Sequence, residues 1–333
     1  MDRAEWLALT EEPVIDPGLA ICDPHHHLWD FPDSRYLIDE VTADTGSGHD
    51  VVSTVFVECT AMYRQDGPAA MKPIGETEFV QGVAAQSASG HYGPGRIAAG
   101  IVSFADLTLG GAVAPVLEAH IAASPNRFRG IRHASAWDAS PDIRNSHTKP
   151  HAGLLRESEF RAGFACLESF GLSFDAWLYF TQIDDVADLA KAFPDTPIIL
   201  DHVGGPLGIG PYKDGRDAVF AQWTRAIDRL AQCPNVVVKL GGLSMSQCGF
   251  AWHHRDRPPG SEALAQATAP YFLHCIERFG VERCMFESNF PVDKVSCSYR
   301  VLWNSFKRVT ADFSAAERAA LFHDTAARVY RLK

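Results

Sequence analysis

Residues 197–202 read PIILDH, an unbroken apolar run that ends on an acid and an imidazole. Such a run marks a strand buried on both faces, as in a parallel sheet covered by helices, whereas a strand with one wet face alternates. Seven further runs share the form, at 19–23, 53–58, 97–104, 128–132, 172–179, 235–240 and 284–290. Helical patterns lie between them. Ser158 precedes Phe160, Phe164 and Leu167, with Gly171 as the stop, and Asp184 or Asp185 precedes Val186, Leu189 and Phe193. Val219, Trp223, Ile227 and Leu230 form another stripe, and Ser314 with Glu317 reads as a capping box ahead of Leu321 and Phe322.

Eight buried strands separated by helices predict a (β/α)8 TIM barrel, one domain spanning residues 1–333. The same alternation also permits a doubly wound open sheet. A barrel demands that its chemistry sit at the C-terminal ends of the strands, and the polar residues fall there. In ICDPHHHLWD, residues 21–30, strand alternation turns His25 and His27 to one face and His26 to the other, so the useful unit is His-x-His. His26 is expected to bond to backbone behind the strand. Glu58, Arg132 with His133, Asp201 with His202, and Lys239 end later runs, while Glu287, Ser288 and Asn289 lie in the last.

Composition narrows the class. The 333 residues are 46% hydrophobic and 21% charged, as in ordinary globular proteins, and no stretch has the length of a membrane span. The acidic start MDRAEWLALTEEP lacks the layout of a secretion signal, which leads to the expectation of a cytoplasmic protein. A net charge of −11 argues against nucleic acid or an anionic membrane as partner and leaves a small molecule; a homo-oligomer is compatible with the chain. The eight scattered cysteines contain no C-x-x-C pair and read as reduced, apolar packing residues.

DPHHHLWD at 23–30, RGIRH at 129–133, ILDHVGGP at 199–206 and MFESNFPVDK at 285–294 together resemble the amidohydrolase superfamily, in the branch of sugar lactonases and 2-pyrone-4,6-dicarboxylate lactonase. The resemblance runs from Ile21 to the C-terminal helix. It implies that His25, His27 and His202 bind one divalent metal, with zinc the expected ion, or polarise the substrate carbonyl without metal. Three neutral imidazoles and a water suit tetrahedral zinc, which brings the pKa of such a water to about 7. The family's last-strand motif has Asp where this chain has Asn289, and an amide cannot serve as base. Glu287 or Asp293 is left to handle the proton, and Asn289 to donate to an oxyanion. The family's bridging lysine and strand 5 histidine have no counterpart, so at most a mononuclear site is expected.

Arg132 is read as a clamp for the substrate or a salt-bridge partner at the barrel top, and Lys239 as pairing with Glu58 or Glu287 or polarising a carbonyl. Long loops carry Trp29, Tyr36, Tyr63, Trp137, His147, His151 and the stretch AWHHRDRPPG at 251–260, which is expected to overhang the mouth with Trp252 and His253. Glu58, Arg132, His133, Trp252 and His253 form the expected substrate-binding set, and Glu287, Asn289, Asp293 and Lys239 the catalytic one. The reaction expected is water attack on the ring carbonyl of a small cyclic ester. Nonoxidative decarboxylation of a small aromatic or muconate acid and a non-catalytic ligand-binding barrel are the alternatives.

Overall fold

The computed structural model describes residues 2–332. Its eight strands pair in parallel and in sequence order: β1 (Ala20–His26), β2 (Asp50–Val57), β3 (Arg96–Ser103), β4 (Phe128–Ile131), β5 (Ser173–Ala176), β6 (Ile198–Leu200), β7 (Val236–Leu240) and β8 (Cys284–Phe286). The ring closes just beyond the ladder, where the His27 N–H donates to the Phe290 carbonyl at 2.8 Å and the Asn289 N–H to the His25 carbonyl at 2.9 Å. The barrel is thus confirmed. Open-sheet topology is not what these residues adopt.

The four helices read from periodicity are present, at Ser158–Ser169, Ile183–Ala192, Arg216–Leu230 and, with its Ser314–Glu317 capping box, Ala315–Ala319. Strand ends differ from the apolar runs. The first strand continues through the histidines to His26, while the fifth and eighth stop early, at Ala176 and Phe286. Beyond Phe286 the backbone turns away, with Asn289 in the left-handed region at φ 55°. The segment after β1 is also more ordered than a loop: it holds the hairpin Trp29–Phe31 with Ser34–Tyr36 and the helix Ile38–Thr45.

Two apolar layers position the site. Helix faces pack on the outside of the barrel, and inside it Cys22, Val55, Val57, Val102, Ile199, Val237 and Met285 form a floor closed from below by Ala326 and Tyr330. Everything polar in the barrel interior therefore stands above a dry floor. All eight cysteines are free and six are buried. Among the described residues no helix is long and apolar enough to cross a membrane.

Candidate active site

On β1 the alternation works as expected. His26 turns outward from the barrel interior, with Nε2 2.8 Å from Thr54 Oγ1 and Nδ1 3.3 Å from its neighbour's carbonyl, while the rings of His25 and His27 lie 5.0 Å apart. Asp23 locks the start of this turn to β8, accepting from the Ser288 N–H at 2.9 Å and from the Tyr299 hydroxyl at 3.0 Å.

Glu287 is the hub. It is fully buried, with Oε1 2.6 Å from His202 Nδ1 and 3.0 Å from the His202 N–H, and Oε2 2.8 Å from His25 Nδ1. Burial opposes its charge, yet the imidazoles of His202 and His25 bring its carboxyl down to about 2. A carboxylate so held is a poor proton acceptor, so its geometry is that of an orienting group. Room for this arrangement comes from the two glycines after β7. A Cβ on Gly241 would stand 2.4 Å from Glu287 Cγ, and one on Gly242, at φ +69°, 2.4 Å from His202 Cγ.

Around the hub lies a network that the sequence reading paired differently. Lys239 forms an ion pair with neither Glu58 nor Glu287 and does not stand free in the mouth: its Nζ is 2.7 Å from Asp175 Oδ2, 3.0 Å from Asp201 Oδ1 and 3.1 Å from His25 Nδ1. The reason is register, because β5, β6 and β7 are neighbours and bring these side chains to one level, whereas Glu58 belongs to β2 on the far side. Tyr330 rises from the floor and donates to Asp175 Oδ2 at 2.7 Å. Against the cost of burial, Asp175, Asp201 and Glu287 push the Lys239 ammonium up to about 12.

Arg132 spends its donors inside the protein. Its Nε donates to Glu58 Oε1 at 2.8 Å and its Nη2 to the Glu58 carbonyl, while Nη1 lies 3.3 Å from His25 Nε2 and 3.6 Å from Asp201 Oδ2. Of the expected alternatives, the geometry is that of the salt bridge. The second Glu58 oxygen faces His147, a part-exposed loop residue, at 3.2 Å. Asp175, Asp201 and His147 were the functional candidates missing from the expected set. Asp201 and Asp175 each break an otherwise apolar run, which was the available signal; His147 was noted only as part of a long histidine-bearing loop, and its partner depends on loop folding.

His27 and Asn289 face each other. His27 Nδ1 lies 2.8 Å from the Val57 carbonyl, so that nitrogen carries the proton, and the lone pair on Nε2 sits 3.3 Å from Asn289 Oδ1. Asn289 is turned this way by Asp293, which accepts from its Nδ2 at 2.8 Å and, on the other oxygen, from the Ser244 N–H at 3.0 Å. Asn289 therefore offers the mouth an acceptor where an oxyanion donor was expected. Burial lifts the Asp293 carboxyl to about 7, but both its oxygens are engaged behind Asn289.

The remaining expected contacts are distributed around the rim. The loop at 251–260 packs on the N-terminal segment, where Trp6 Nε1 donates to the Arg255 carbonyl at 2.9 Å and Thr10 Oγ1 to that of Pro258 at 2.8 Å. Trp252 is buried there in a stack with Phe250, and His253 lies against His254. The aromatic walls of the centre are instead Trp29, stacked 5.8 Å from His27, and Trp177, edge-on 4.8 Å from His202. His133 sits to one side, under Phe104 and Phe160.

The donor set fits a divalent cation. His25, His202 and Glu287 offer ligand atoms within 4.8 Å of one another, and His27, from the expected trio, stands beside them with Nδ1 on the Val57 carbonyl and Nε2 toward Asn289. In the barrel mouth four buried carboxylates, Glu58, Asp175, Asp201 and Glu287, face two permanent cations, Arg132 and Lys239, which leaves two negative charges. Among the described residues Asp175 Oδ1 has no partner, and the outer oxygens of Glu58, Asp201 and Glu287 meet only His147, Lys239, Arg132 and His25. Buried anions in excess of this kind are costly unless a cation joins them.

A neighbouring buried acid supports a separate prediction. Glu76 Oε1 accepts from the N–H groups of Cys59 and Ala61 at 3.0 and 2.8 Å, and burial, with Glu58 nearby, raises its carboxyl to about 8. The native state thus holds a proton that the unfolded chain releases near pH 4.5, and stability falls as pH rises through that window toward about 8. Glu76→Gln mimics the protonated acid, so its urea midpoint should decline less than that of the wild type between about pH 5 and 8. Equal declines would mean that Glu76 stays ionised in the fold.

The chain belongs to the amidohydrolase family, whose model matches residues 22–332, and it is a hydrolase of the amidohydrolase superfamily. It is 35% identical over 334 residues to the uncharacterised protein y4mH of Sinorhizobium fredii, covering 94% of this chain and 99% of that one. It is 30% identical over 239 residues to an L-fucono-1,5-lactonase of Burkholderia multivorans, covering 71% and 72%. A crystal structure of an amidohydrolase from Burkholderia multivorans with bound zinc superposes with a TM-score of 0.72 at 25% identity, over 94% of this chain and all of that one.

Proposed function

We propose that the protein hydrolyses a small sugar-acid lactone at the histidine centre. The observation that carries this reading is the buried Glu287 carboxylate shared by His25 and His202 at the barrel mouth, beside the acceptor pair of His27 and Asn289. The lactonases among its relatives support the substrate class.

His27 Nε2 and Asn289 Oδ1 are two acceptors that share one need, a donor placed beside both. A water that gives one O–H to each has its lone pair free for the ester carbonyl. Burial, together with His25 and Arg132, holds the His27 ring well below the usual imidazole range, so it is neutral with its Nε2 lone pair free, though a weaker base than an ordinary imidazole. As the new C–O bond forms, His27 takes the water proton, and it returns that proton to the ring oxygen as the ester C–O bond breaks. The products are one carboxylic acid and one hydroxyl on the same open chain. Glu287 fixes the His25 and His202 rings during these steps. A divalent cation, zinc in this proposal, would be held by His25, His202 and Glu287; when bound it polarises the carbonyl and acidifies water.

The test is acid release by purified protein from L-fucono-1,5-lactone and L-rhamnono-γ-lactone, followed with a pH indicator alongside elemental analysis. Ring opening with about one equivalent of divalent metal, lost together on chelation, is the expected result. Activity that survives metal removal would leave the hydrolase and remove the cation. Release of CO2 from a small carboxylated aromatic, with no acid from any lactone, would replace hydrolysis by decarboxylation.

A further inference from the structure

Beside the histidine centre, between the loops that follow β3 and β4, lies a cavity of about 210 Å³ lined by Phe104, Asp106, His133, Lys149, Pro150 and Leu154 among others. We propose that it binds the hydroxylated substituent of the substrate ring, a vicinal diol, and so sets which lactone is turned over. This rests on the lactone reading above.

His133 supplies the donor. The ring is only 4% exposed and is held between Phe104 at 5.2 Å and Phe160 at 5.4 Å. Its Nδ1 accepts from the Leu107 N–H at 3.3 Å, which places the ring proton on Nε2, and no acceptor for that proton is present among the described residues. His133 lines the cavity, so this N–H is available to a ligand oxygen. Asp106 supplies the acceptor: its Oδ1 is taken by the Thr108 N–H at 3.0 Å and the Thr108 hydroxyl at 2.6 Å, while Oδ2 makes no hydrogen bond among the described residues.

The charges in the cavity decide the ligand class. Asp106 and Lys149 line the cavity with opposite charges, so a carboxylate gains little over a neutral group, whereas a pair of hydroxyls uses both an acceptor and a donor. Phe104, Pro150 and Leu154 provide apolar surface for the C–H faces of such a group. The volume suits a substituent of a few atoms better than a whole ligand. The cavity is tied to the centre through Phe104, whose ring lies 6.5 Å from that of His147, the partner of Glu58.

The experiment compares kcat/KM for D-glucono-1,5-lactone and unsubstituted δ-valerolactone in the wild type, His133→Phe, Asp106→Asn and Lys149→Met. The phenylalanine fills the same aromatic niche, and Lys149 is an exposed residue whose replacement does not test folding. The proposal expects the ratio of the two constants to fall by on the order of 10-fold in His133→Phe and Asp106→Asn, carried by KM. Equal losses on both lactones, or no change on either, would overturn it. If the wild type opens neither lactone, the hydrolase reading is what fails, and calorimetric titration with D-gluconate then decides the cavity alone. Weaker binding in His133→Phe supports it; equal affinity, or no binding by the wild type, overturns it.

Discussion

Glu287→Gln lowers kcat/KM by on the order of 10²–10⁴ with the fold intact. Two imidazoles depend on this carboxylate, at 2.6 and 2.8 Å, and a glutamine can accept from one of them only by turning its NH2 toward the other. Donor then meets donor, and one ring loses its place. The carboxyl lies near 2 because His202 and His25 overcome the cost of burial, so Glu287 itself does not titrate in the working range. An acidic limb in the wild-type pH–rate profile would accordingly report an imidazole. Burial and Lys239 lower the His25 pKa and Glu287 partly offsets them, so removing its charge should move any contribution of His25 to such a limb to lower pH without abolishing the limb, which His27 also sets. Circular dichroism checks the fold and a pH series of kcat/KM checks the shift. Wild-type rates in the variant would end the role of Glu287 as the orienting group, and a limb lost entirely would restore it as the base.

Lys239→Met destabilises the protein by about 3–5 kcal/mol, the usual result of removing one member of a buried ion pair. The ammonium is wholly buried between Asp175 at 2.7 Å and Asp201 at 3.0 Å, and a methionine fills the space while leaving both acids without that cation. The cost depends on pH in a definite direction. Burial already lifts Asp175 to about 6 in the presence of Lys239, and losing the ammonium lifts it further, so protonation relieves the variant as pH falls from about 7 to 5. Urea unfolding of both proteins at these two pH values measures the difference. A cost below about 1 kcal/mol at both would show that the two acids are neutralised by something other than Lys239.

Both predictions concern groups whose presence was readable and whose partners were not. Lys239 and Glu287 stood out because ionisable residues inside apolar runs must be satisfied by something. Asp175 was equally conspicuous in LSFDAWLY but received no role, since a single sequence does not say which strand faces which. Likewise Trp252 and His253 belong to a loop of the right composition, and its packing against Trp6 and Thr10 depends on where the N-terminal segment lies.

The sequence by itself determined the parallel barrel, the C-terminal mouth as the place of polar chemistry, and the opposite facing of His26 from His25 and His27. These follow from local rules: burial on both faces gives unbroken apolar runs, and strand side chains alternate. Only the tertiary structure decided that Glu287 meets both His25 and His202, that Lys239 pairs with Asp175 and Asp201, and that Asp293 turns the Asn289 carbonyl toward His27. Each of those contacts, apart from the short reach from Asn289 to Asp293, joins residues 38 to 262 positions apart in the chain. Their distances are set by strand register and loop folding around the ring, and neither is encoded in the spacing of a motif.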